Sequence, residues 1–248
     1  MGETMFDLSR FRLSDMVRCA SVARTLGEQA GSMEEAAENV LEFFFESFRG
    51  ENGEPACGLI RLFKTHRYAG LPPELQRFSD GILPATSPAM RCLTLMATRG
   101  TEAEWNSRSD SKAHAVIPLP SESFVREAPM IARLIEQLGI PLGAVVQPAP
   151  ELIVDLAQNS WNVFHVEQAE GSPYIPAQEE FVARYGIRSV IGFGGILPSG
   201  ALFAVIIFTR VPVPSETAQL FKTLALNVKL ALIPFDGERV FRQDGAES

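Results

Sequence analysis

Two long β-rich runs near the C-terminal end, residues 187–197 and 201–211, are separated only by Pro198-Ser199-Gly200. A connection that short, with glycine in it, joins antiparallel neighbours. The chain is therefore committed to an antiparallel sheet. The segment after the hairpin is equally plain: Pro212 and Pro214 stop the second strand, and Ser215 caps a helix. Leu220, Phe221, Leu224, Val228, Ala231 and Leu232 form its buried stripe, and Pro234 ends it.

Upstream, Met16, Val17, Ala20, Val22, Ala23 and Leu26 recur at helical spacing before Gly27 and Gly31. Ser32-Met33-Glu34-Glu35 has the capping-box pattern and opens a second helix that runs to about Arg49. Residues 57–63 (CGLIRLF) read as a strand, with Arg61 and Lys64 near its outer edge. The middle is harder to read. Residues 89–98 have the character of a helix, residues 101–112 of an exposed polar loop, and residues 113–119 of a strand. Ser121 then caps a helix expected to reach Leu138. Residues 142–146 are a short apolar run taken as a strand, and residues 151–158 allow one or two helical turns. A strand spans 161–166, and a short helix spans 177–185, closed by Gly186.

The expectation is one α/β (α+β) domain with a central antiparallel sheet of about six strands, near residues 57, 114, 142, 161, 187 and 201. Helices flank it, and an extra helix precedes it. Residues 1–31 form an N-terminal helical extension, 32–235 the domain proper and 236–248 a polar, mobile tail.

Composition removes several functions. A formal charge of −8 with 22 scattered Lys and Arg does not give the concentrated basic surface that nucleic acid needs. No apolar run approaches the roughly 20 residues that span a bilayer, and the first dozen residues are too polar for a secretory core. A cytoplasmic chain with no membrane partner is expected. Cys19, Cys57 and Cys92 cannot all pair with one another, and their spacing fits no metal knuckle.

Gly192-Phe193-Gly194-Gly195 lies inside a strand, whereas a phosphate-binding loop sits between a strand and a helix N-terminus. Close packing or a bulge is the better account. His66, His114 and His165 show no ligand or triad spacing. His165, inside Trp161-Asn162-Val163-Phe164-His165-Val166, is flanked by large apolar residues and is the histidine most suited to face a cavity. A cysteine nucleophile needs a partner that lowers its pKa, and the apolar surroundings of all three favour buried structural thiols. Phe43, Phe44, Phe45 and Phe48 read as core or as a dimer seam.

The segment Ser32-Met33-Glu34-Glu35-Ala36-Ala37-Glu38-Asn39-Val40 resembles the capped first helix of GAF-type sensory domains, relatives of the PAS fold, and residues 57–63 resemble their first strand. Residues 173–186 followed by Ile187-Arg188-Ser189-Val190-Ile191-Gly192-Phe193 are similar to the GAF pattern of a short helix, a Gly-Ile-Arg-Ser step and a strand. Residues 195–208 look like the terminal hairpin, and 217–232 like the closing helix. The resemblance covers both ends and leaves an enlarged middle, residues 67–151, where such domains differ most. The chain departs from the specialised branches. It has no Cys-His pair for bilin attachment, no cysteine spacing of the sulfoxide-reducing members and no Asn-Lys-Phe-Asp-Glu run of the cyclic-nucleotide binders.

The resemblance implies a non-enzymatic sensory or regulatory domain that binds a small molecule or a partner and signals through its terminal helices. A homodimer through those helices and a downstream signalling domain are the implied partners, and no cofactor is named. Placement suggests Arg61, Phe63, Trp161, Phe164, His165 and Tyr174 as ligand-binding residues, with Arg61 meeting an anionic group and the aromatics supplying stacking area. The alternatives are a redox enzyme using Cys57 or Cys92, and a ligand-free interaction module whose pocket is filled by side chains.

Overall fold

A computed structural model describes residues 5–85, 87–110, 114–148, 156, 159 and 161–242. The fold is mixed α/β. Its centre is a six-stranded, wholly antiparallel sheet made of β3 (Cys57–Arg67), β4 (Arg91–Gly100), β5 (Val116–Leu119), β6 (Phe164–Val166), β7 (Ser189–Ile196) and β8 (Leu202–Thr209), in the order β5-β4-β3-β8-β7-β6. Two short segments, β1 (Phe6–Asp7) and β2 (Phe48–Arg49), pair in parallel beside it. The expected hairpin is β7-β8, in register from Ser189 opposite Thr209 to Ile196 opposite Leu202.

One face of the sheet carries long helices: α1 (Leu13–Ala23), α2 (Met33–Ser47) and, near the C-terminal end, the helix over Ser215–Leu232. Phe6, Phe11, Phe44, Phe48, Phe193 and Phe221 interlock there, with ring centroids 5.2–6.4 Å apart. Such pairs add to the burial of their area. The helix over Ser215–Leu232 is apolar and long enough by composition alone to cross a membrane, yet Phe221, Leu224, Val228 and Leu232 are wholly buried against the sheet. Phe44 and Phe48 of the phenylalanine-rich stripe are core, and Phe43 and Phe45 pack at its margin.

The opposite face is covered by short pieces: α4 (Glu122–Arg126), α5 (Pro129–Leu138), α6 (Leu142–Val146) and a π-helical turn over Gln178–Ala183. Between β3 and β4 lies α3 (Pro73–Ile82), packed near β5, and the helix over Ser215–Leu232 is α7.

Three expectations are corrected. Residues 91–100 form a strand, not a helix. The strand is buried on both faces, so the two-residue alternation that marks a half-exposed strand is missing, and Leu, Met and Ala mimic a helical run. Residues 142–146 form a helical turn instead of a strand. Pro141, at φ −60°, leads into it, and five apolar residues carry no periodicity able to decide the matter. The sheet therefore keeps six strands with β4 in place of 142–146. The helix from Ser121 is two helices, because Pro129 lacks the amide that a continuous helix needs and instead begins a second one. The helical turns expected at 151–158 lie almost wholly outside the described residues.

The capping pattern at Ser32 is present with a variation. Ser32 Oγ accepts from the Glu35 amide at 3.2 Å, while Glu35 reaches back to the amide of Gly31 at 2.8 Å. The two remaining amides, of Met33 and Glu34, donate to the carbonyls of Arg239 and Val240. Residues 236–242, polar enough to read as tail, thus lie against the body: the Asp236 side chain is buried, and Arg242 pairs with Glu38 at 2.5 Å. Their polarity is used to satisfy a helix end instead of meeting water.

Candidate functional site

Alternation along β3 turns Leu59, Arg61 and Phe63 toward the short helices. Arg61 stands between Thr98 on β4 and Ile206 on β8. Burial lowers its pKa to about 10, and its Nε has no hydrogen-bond partner among the described residues. A buried donor without an acceptor costs about 1–3 kcal/mol. Phe63 and Phe164 are buried in the same apolar cluster, and Trp161 and Tyr174 pack against it.

Glycines make this packing possible. A Cβ at Gly192 would meet Leu134 at 2.5 Å and the Phe164 side chain at 3.1 Å, and one at Gly195 would meet the Trp161 ring at 2.8 Å. At Gly194 the Cβ would run into the Phe203 backbone carbonyl. The glycine run is thus a close-packing device within a strand, as its position implies.

Trp161 Nε1 is also buried without an acceptor among the described residues. The same holds for Nε of Arg133, on α5, whose guanidinium lies 5.1 Å from the centre of the Tyr174 ring. Sequence reasoning did not single out Arg133, although its place between the apolar Ile131 and Leu134 on an amphipathic helix was the available signal.

Five of the six expected site residues therefore share one face of the sheet. His165 does not. It alternates away from Phe164, its Nε2 donating to the Val213 carbonyl at 2.9 Å while its amide donates to Gln137 Oε1 at 3.1 Å. Burial lowers its pKa, opposed by the Val213 bond and by Glu167. The ring ties the edge strand to the segment beyond β8.

Two clefts border this face. One cleft of about 460 Å³ runs past Ser121, Ala144 and Gln147, and another of about 400 Å³ lies at the ends of β3 and β4.

All three cysteines are buried, and burial pushes each thiol upward, away from the thiolate that a nucleophile requires. Cys92 Sγ lies 3.8 Å from Ser79 Oγ. No cluster of His, Cys, Asp and Glu suited to a metal occurs among the described residues.

On the long-helix side, Lys64 is not at an outer edge as expected, because β3 lies in the middle of the sheet. Lys64 and His66 are buried beneath residues 236–242, with Phe241 stacked 5.0 Å from the His66 ring. Burial, followed by the charges of Lys64, Arg91 and Arg108, pushes His66 well below its ordinary range. Lys64 is lowered to about 8 by burial, opposed by Asp236 at 3.9 Å, with Arg91 lowering it further.

The six-stranded sheet, its terminal hairpin and the closing helix α7 are the elements expected from the resemblance to GAF-type domains. No protein-family model matches the chain, and no curated protein matches it. Among solved structures it is similar to the phycocyanobilin-bound GAF domain of a cyanobacterial phytochrome, at 11% identity and a TM-score of 0.41, covering 89% of this chain and 94% of that one. It is also similar to the GAF domain of a phosphoenolpyruvate-protein phosphotransferase from Coxiella burnetii, at 15% identity and a TM-score of 0.40, covering 88% and 91%. A third match is an N-acylhomoserine lactone dependent LuxR-family transcription factor from Burkholderia cenocepacia, at 10% identity and a TM-score of 0.37, covering 89% and 97%. These are likenesses of overall shape.

Proposed function

We propose that the chain is a non-enzymatic sensory or regulatory domain of the cytoplasm that holds a small molecule between its sheet and the short helices, and that relays occupancy through a homodimer of its terminal helices. One observation carries the reading. Three buried N–H groups on that side of the domain, from Arg61, Arg133 and Trp161, lack acceptors among the described residues, whereas native proteins satisfy nearly all such groups. A ligand bearing oxygen acceptors supplies what they lack.

Two helices support the relay reading. α1 packs along α7, the turn after α1 comes so close that a Cβ at Gly27 would meet the Ala231 carbonyl, and both helices carry exposed apolar residues one turn apart: Leu13 and Val17 on α1, Leu226 and Leu230 on α7. Burying them against a second copy accounts for their exposure. The raised thiols weigh against the redox alternative.

Native mass spectrometry of protein purified from cells tests this. The expected result is a dimer carrying a non-covalent small molecule, with the molecule lost in Arg61→Leu and the dimer lost in Leu230→Glu while circular dichroism stays unchanged. A monomer free of any bound molecule would overturn the proposal.

A further inference from the structure

Antiparallel pairing sets Arg67 of β3 directly opposite Arg91 of β4 on the short-helix face of the sheet. Side chains so placed are neighbours, and like charges directly opposite each other destabilise a sheet. Neither guanidinium forms an ion pair or hydrogen bond among the described residues. Arg91 is nevertheless 8% exposed, and its pKa is lowered by burial and then by the charge of Arg67. Such an arrangement would be hard to understand in isolation, above all in a chain of net charge −8 with carboxylates to spare. It becomes intelligible from the cleft it borders.

The two arginines line the cleft of about 400 Å³, together with Ser87, Met90, Leu119 and Gln147. Among the described residues, no acidic side chain takes part in that lining. Pro120, Val146 and Gln147 also border the cleft of about 460 Å³, so the two adjoin, and Ala144 and Leu156 give the second an apolar wall. Its one carboxylate among the described residues, Glu122, is 3.6 Å from Arg126. The combined shape is a cationic end joined to a mostly apolar channel, within the size range of small-molecule sites.

We propose that this cleft binds a small organic oxyanion, a carboxylate or phosphate monoester, whose charged head lies between Arg67 and Arg91 and whose short apolar body extends along α6. Planar guanidinium groups present paired donors that match such oxygens, and the bound charge removes the repulsion between the arginines. The site is separate from Arg61 and does not depend on the donors named there.

Calorimetric titration with hexyl phosphate, hexanoate and hexanol tests the proposal. Both anions are expected to bind at least about tenfold more tightly than hexanol, the scale of a charge-assisted hydrogen bond. Arg67→Gln and Arg91→Gln should each weaken hexyl phosphate by about tenfold or more and leave hexanol unchanged. Arg67 is exposed, so its variant keeps the test sound if Arg91→Gln fails to fold. Without ligand, Arg67→Gln should melt no lower than the natural chain. Equal affinity for anion and alcohol, absence of anion binding, or undiminished hexyl phosphate binding by folded Arg67→Gln would overturn the proposal.

Discussion

Asp236→Asn should destabilise the protein in a way that depends on pH, and the dependence can be worked from Lys64. The two side chains are 5% and 3% exposed and 3.9 Å apart, and Asp236 also accepts from the amide and hydroxyl of Ser199 at 2.8 and 2.7 Å. At an effective dielectric constant of about 20, the attraction at this separation is roughly 4 kcal/mol. The variant need not lose that much, because Lys64 can shed its proton. With a folded pKa of about 8, the charged amine lies below the neutral one within the folded protein by only about 1 kcal/mol at pH 7 and about 3 kcal/mol at pH 6. These smaller values bound the loss that passes through Lys64. At pH 9.5 the amine is already neutral in the natural protein, and that part of the loss vanishes.

The natural protein has its own signature. The folded pKa of Lys64 lies below the unfolded value near 10.4, so the unfolded state binds more protons between about pH 8 and 10.4, and the contribution of Lys64 to stability rises through that window by about 3 kcal/mol. Thermal melts followed by circular dichroism at pH 6, 7 and 9.5 read both effects. For a chain of this size the deficit of Asp236→Asn at pH 6 is expected to exceed that at pH 9.5, where the loss of the Ser199 hydrogen bonds remains, by about 5–10 °C. A deficit equal at all three pH values would refute the reasoning and assign the loss to the Ser199 hydrogen bonds.

Gly194→Ala should cost about 1–3 kcal/mol or more, since the added methyl meets the Phe203 carbonyl, which is backbone and has no rotamer to change; urea denaturation measures it. Ser32→Ala should cost only about 1 kcal/mol by the same measurement, because the adjoining amides keep the carbonyls of Arg239 and Val240.

The elements legible in the sequence are those with a partner close by in the chain or a face turned to water. The β7-β8 hairpin is set by three turn residues, α2 by its capping serine and α7 by a stripe of apolar residues on one side. β4 fails that test: its partners are β3 and β5, it meets apolar neighbours on both faces, and its residues therefore carry no alternation. The candidate site divides along the same line. A strand's alternation is a local property, so Arg61 and Phe63 follow from placing β3 correctly. His165 fails for want of a register, since only the pairing of Phe164 with Gly192 fixes which of two adjacent residues looks inward. Arg67 opposite Arg91, and Lys64 beneath Asp236, are meetings of residues far apart in the chain that no spacing announces.

The order of the strands has a consequence for how the protein is made. The centre of the sheet is the pair β3 and β8, and Cys57 opposite Thr209 joins residues about 150 positions apart. Until a growing chain has delivered residue 209, β3 has a partner on one side only and presents a long row of free amides and carbonyls on the other. Closure of so distant a pair is slow, which makes the nascent chain, more than the finished protein, the species that needs protection from its own kind. Any truncation before residue 202 should leave that edge open permanently.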